Sequence, residues 1–121
     1  DFADKSTTEN TRVSYPIYYI NNINTDDPTT AEMAAAVEDK VSAVNKYFLG
    51  YDVVMIAKQC IEEAGLDDAA ALLSAIENVK DFKGLTGTVT IDPETHMPDG
   101  MGMFMYTYDN QTPVMLEEFA G

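Results

Sequence analysis

Lys83-Gly84-Leu85-Thr86-Gly87-Thr88-Val89-Thr90-Ile91-Asp92-Pro93 is the stretch in which the chain changes period. From Thr86 to Ile91 small polar and apolar residues alternate, which is the repeat of a half-buried strand, and Asp92-Pro93 stops it. Downstream, Pro98-Asp99-Gly100 is expected to turn the chain into a second strand, Met101 to Tyr108. Asp109-Asn110-Gln111 then leads to a third, Pro113 to Phe119. The C-terminal part therefore reads as an antiparallel set of strands.

Upstream the period is helical. Ala69, Leu72, Leu73 and Ile76 form an apolar stripe behind Asp67 or Asp68, either of which can cap it. A longer helix precedes it, from about Phe48 to Ala64, with Gly65 placed as its C′ residue in the left-handed region. Between Tyr47 and Ala57 only Gly50 and Asp52 are not apolar, so this helix is expected to be covered on most sides, at the centre of a packed layer. A first helix starts at the capping box Thr29-x-x-Glu32 and runs to about Val44, with Met33, Val37, Val41 and Val44 on one face. The aromatic and β-branched run Arg12 to Ile20 favours a strand, with Pro16 at an edge or irregularity, and Asn21 to Thr30 is a polar loop. Residues 1–11 read as a loose lead-in and 12–121 as one partial α/β domain: one strand, three helices, then the antiparallel strands.

Composition limits the partners. Seven Lys+Arg against 21 Asp+Glu give 7 − 21 = −14, a charge that repels nucleic acid and anionic lipid. An apolar content of 45% excludes a disordered acidic chain. The longest strictly apolar run, Val53 to Ala57, falls far short of the roughly 20 residues that cross a bilayer, so no membrane insertion is expected. One Cys permits no internal disulfide. The chain opens Asp1-Phe2-Ala3-Asp4, without initiator Met or export signal, and an upstream portion is expected.

Catalytic chemistry is poorly supported. His96 sits in a Pro-flanked turn, and Cys60 lies on the apolar helix, where burial raises a thiol pKa and makes it a small core residue. The turn Asp92 to Gly100 holds three carboxylates and an imidazole, but its two prolines break a calcium-type loop and the bidentate Glu is absent. No lysine follows Gly87 as in a phosphate loop, so Gly84 and Gly87 are assigned to backbone geometry. Met101, Met103 and Met105, at period two, read as one face of a half-buried strand. Asp26-Asp27, Glu62-Glu63, Asp67-Asp68 and Glu117-Glu118 read as solvated faces and caps. The residues point to no catalytic group, no metal and no cofactor.

Three stretches together resemble one family. Asn24-Thr25-Asp26-Asp27-Pro28 before an amphipathic helix, Gly50-Tyr51-Asp52-Val53-Val54 followed by Ala57 and Glu62-Glu63-Ala64-Gly65, and Phe82-Lys83-Gly84-Leu85-Thr86-Gly87 running to Asp92 are similar, in order and spacing, to the C-terminal portion of type I periplasmic solute-binding proteins of the leucine/isoleucine/valine-binding family. The resemblance implies a two-lobed α/β protein outside the cytoplasm that closes on a branched-chain amino acid or related amide and delivers it to an ABC permease. This chain would be a fragment of one, unable to bind alone, and expected to self-associate through the bared second helix. Site residues carry over thinly. The family's cleft-lining aromatic, five positions before the Tyr of its Gly-Tyr-Asp motif, falls on Lys46, with Tyr47 next. Either the register shifts to Tyr47 or Lys46 meets a ligand carboxylate; an exposed Lys before a helix is the plainer reading. Two other functions compete: a sensor or regulatory domain of the same fold, and a metal-binding, hydrolase-like module built on Asp92, Glu94, His96 and Asp99.

Overall fold

The computed structural model describes residues 18–109 and 112–119. The elements run β1 (Tyr18–Asn21), α1 (Pro28–Val37), α2 (Val44–Ala64), α3 (Ala69–Glu77), β2 (Phe82–Gly84), β3 (Gly87–Ile91), β4 (Pro98–Met101), β5 (Met103–Asp109) and β6 (Thr112–Phe119). The mixed α/β order read from the sequence is the one observed. The lead-in and residues 12–17 of the first expected strand, Pro16 among them, lie outside the described residues.

Three boundaries differ from expectation, each for a local reason. α1 is capped by Asp27, whose carboxylate accepts from the Thr30 backbone N–H at 2.8 Å, with Pro28 as the first helical residue. Thr29 is therefore inside the helix instead of capping it. The helix ends at Val37, and Val44 opens α2, so the period that links Val37 to Val41 and Val44 continues across a break. Pro98-Asp99-Gly100 is not a turn but the start of β4, whose first residue is the proline, a position where the missing donor is tolerated. The reversal comes earlier, at residues 93–95.

The expected single set of strands is two three-stranded antiparallel sheets, ordered β1-β5-β6 and β2-β3-β4. β1 reaches across the chain to β5, with Tyr18 opposite Thr107 and Asn21 opposite Phe104. β2, too short to read in the sequence, pairs with β3 through the Leu85-Thr86 turn. Met101 consequently lies in one sheet while Met103 and Met105 lie in the other, so the three methionines do not share a face. The core gathers Ile23, Val37, Phe48, Cys60, Val79, Val89, Phe104 and Tyr106. Tyr19 stacks on Tyr106 and Tyr108 with ring centroids 5.6 and 5.3 Å apart. Burial, and after it the hydrogen bond with Tyr108, pushes the Tyr19 hydroxyl far above its usual range.

The expected covering of α2 is absent among the described residues. Only Phe48, Asp52 and Cys60 are buried, at helical steps along one seam, and α3 packs beside it. Val53 and Val54 are each 66% exposed, and Tyr47, Leu49 and Tyr51 are also exposed. Gly65 does end α2 with positive φ, 78°, but its ψ of 178° is extended and not left-handed helical. Asp68, of the two candidates, caps α3 through the Ala70 and Ala71 N–H groups. Leu73, expected in the buried stripe of α3, is exposed.

Candidate functional site

The buried seam of α2 contains one charged residue. Asp52 accepts from the backbone N–H groups of Leu85 at 2.8 Å and Thr86 at 2.9 Å, and from the Thr86 hydroxyl at 2.6 Å. Three donors on two oxygens let a carboxylate lie 4% exposed without an opposing cation among the described residues. The turn between β2 and β3 is thereby fastened to the middle of α2. Gly84 makes the approach possible, since a Cβ there would come within 2.6 Å of the Asp52 carboxylate carbon. Gly87, at φ 130°, takes a conformation closed to other residues, with its missing Cβ position 2.8 Å from the Gly102 nitrogen. From the other side the Gly102 N–H donates to the Thr86 carbonyl at 2.7 Å, so Thr86 is held by both α2 and the β4–β5 junction.

In front of this fastened turn lies an open groove of about 680 Å³. One wall is the turn itself, from Lys83 to Thr88, with Gly100, Gly102 and Phe104 behind it. The other is the loop from β1 into α1, through Asn22, Asn24, Asp27 and the first helical residues Thr29 and Thr30, and Tyr51 of α2 closes one side. The loop is fixed by the buried Tyr106, whose hydroxyl donates to the Ile23 carbonyl and lies 3.5 Å from the Thr25 hydroxyl. Asp27, on the rim, is held below the usual carboxylate range by the Thr30 backbone N–H. Within the wall, the side-chain nitrogen of Asn22 is buried with no hydrogen-bond partner among the described residues.

Lys46 and Tyr47 stand on the first turn of α2, both exposed and neither lining this groove. Tyr47 is four residues before Tyr51 and so on the same helix face, one turn from the groove side. Sequence reasoning stopped one turn short: the tyrosine that reaches the groove is the one inside the Gly50-Tyr51-Asp52 motif. It also passed over Asn22, Lys83 and Thr86, although the isolated Asp52 in an apolar run was a signal that something polar lay opposite.

The competing chemistry is not assembled. Asp92 accepts from the Glu94 and Thr95 N–H groups, at 2.7 and 2.9 Å, which lowers its pKa, Thr95 contributing most. His96, at φ 57°, turns its ring to Glu77 of α3, 3.0 Å away, and is exposed. Among the described residues no three His, Cys, Asp or Glu side chains converge as a metal centre requires. Cys60 is fully buried, and burial, with Glu63 nearby, pushes its thiol up, against the direction a nucleophile needs. No described helix is long and apolar enough to cross a membrane.

No family model matches the sequence. The structure resembles that of a leucine-binding protein, LivK, from Thermotoga maritima, with a TM-score of 0.66 at 18% identity, over 85% of this chain and 30% of that one. This chain thus spans under a third of the length of the protein it matches, and the likeness at that identity is one of fold: a mixed α/β unit consistent with part of a periplasmic-binding-protein lobe.

Proposed function

We propose that this chain is part of an extracytoplasmic solute-binding protein that captures a branched-chain amino acid or a related small molecule for an ABC-type importer. The observation that carries the reading is the fold likeness to a leucine-binding protein across 85% of the chain. The groove between the β1–α1 loop and the β2–β3 turn is then one wall of the ligand site, and Tyr47 and Lys46 extend it along α2. Groove chemistry supports a small polar ligand: one cation, Lys83, one anion, Asp27, and aromatic surface from Tyr51 and Phe104 lie around one cavity. In this reading the protein holds its ligand by closure of two lobes and carries out no covalent step.

The ligand site is completed by the remainder of the two-lobed protein, and an ABC permease receives the cargo. The test is calorimetric titration of the full gene product with amino acids, small amides and carboxylates at millimolar concentration. Heat of binding for an aliphatic amino acid is expected. Silence across that panel overturns the proposal.

A further inference from the structure

Asn22 is the described residue whose buried side-chain nitrogen has no acceptor, and it lines the groove. A buried amide N–H without a partner is a standing cost that folded proteins rarely retain unless water or a ligand meets it. Its neighbours do not relieve it: the Asn21 carboxamide oxygen is taken by the Asn22 backbone N–H at 2.8 Å, and the Ile23 carbonyl by Tyr106. Lys83 lines the same groove, and among the described residues no carboxylate pairs with it, in a chain where 21 acids outnumber 7 bases.

An unpartnered donor and an unpartnered cation around one cavity select the same chemical group. We propose that the groove binds the carboxylate of a small organic acid, with the Asn22 side-chain amide donating to one of its oxygens and Lys83 supplying the countercharge. This rests on the reading of the groove as a ligand wall and adds which end of the ligand it holds. A neutral amide carbonyl would satisfy Asn22 but leave Lys83 unmatched. A dianionic phosphate would exceed one cation and face Asp27 on the rim.

The test is a titration of the asparagine-labelled protein, followed by NMR, with L-leucine, isovalerate, isovaleramide and isopentylamine. Both acids should move the Asn22 side-chain amide resonance. Isovaleramide should bind more weakly than isovalerate, and isopentylamine should leave that resonance in place. Asn22→Leu should weaken both acids about tenfold, the equivalent of one charge-assisted hydrogen bond. The same variant should unfold at an unchanged or higher temperature, because it removes an unsatisfied buried group; a purely structural Asn22 would be destabilised instead. Lys83→Met should weaken isovalerate and leave isovaleramide unaffected. If L-leucine shifts the groove amides of Thr30 and Leu85 while the Asn22 side chain stays unmoved, and Asn22→Leu binds as well as the wild type, a bound water satisfies the amide. The inference then falls while the solute-binding reading stands. If no probe shifts any groove resonance, both fall together.

Discussion

Asp52 illustrates how one residue can set the position of a binding surface. Its carboxylate ties the α2 seam to the β2–β3 turn, and it satisfies two backbone donors and one hydroxyl. Asp52→Ala should therefore cost about 3 kcal/mol in urea unfolding, since it strands buried donors as well as removing a partner. Gly84→Ala should cost about 1–3 kcal/mol by pushing a methyl into that carboxylate. The two losses should not add. With Asp52 already truncated, the obstacle to the added methyl is gone, and Gly84→Ala should then be close to neutral. A double-mutant cycle measures this, and additive losses would mean that Gly84 is constrained by something other than Asp52.

Elements are where the sequence was most readable, and where its signals also misled. Helix existence followed from caps and apolar spacing, and the strand β3 from its period of two. The break between α1 and α2 was hidden because Val41 and Val44 keep the phase of Val37 through a turn of residues 38–43. The three-residue β2 is too short for any period, and its pairing is set by the Asp52 contact, which is tertiary. For the same reason the groove was not legible: Asn22, Tyr51 and Lys83 are far apart in sequence and meet only once β1 has paired with β5 and the turn has docked on α2. The cap of α1 carries a prediction of its own. Asp27 titrates below its ordinary 3.8 because the Thr30 N–H binds the ionised form. A group with a depressed folded pKa contributes stability that is fully present above its unfolded value and lost as pH falls through the folded one. Asp27→Asn keeps an acceptor for Thr30 but cannot titrate there. Its urea midpoint should fall less steeply below about pH 4 than that of the wild type, Asp92 supplying the remaining acid sensitivity by the same sign. Identical acid limbs in variant and wild type would remove Asp27 from the account.

At the scale of the whole molecule two apolar surfaces are left open. One is the outer side of α2 around Leu49, Val53 and Val54. The other is a face of the β1-β5-β6 sheet, where Tyr18 and Ile20 lie opposite Thr107 and Met105, and Val114 lies opposite Thr107 from the other side. Tyr18 and Ile20 are 59% and 62% exposed. Exposed apolar clusters of this kind drive association, while a charge of −14 on each copy opposes it. The balance of the two terms fixes the direction of a salt effect. Added salt screens the repulsion, with a Debye length of about 10 Å at 0.1 M, and leaves the apolar contact intact. The isolated chain should therefore self-associate, and more strongly as ionic strength rises, the reverse of what a complex held by ion pairs would do. Light scattering across a salt series reads this directly. Val53→Lys with Val54→Glu, which places two charges on the α2 face without altering net charge, should shift the equilibrium toward monomer at every salt concentration. A wild-type chain that stays monomeric throughout the series would show that neither face is a contact surface. An associating chain indifferent to the paired substitution would move the contact to the sheet.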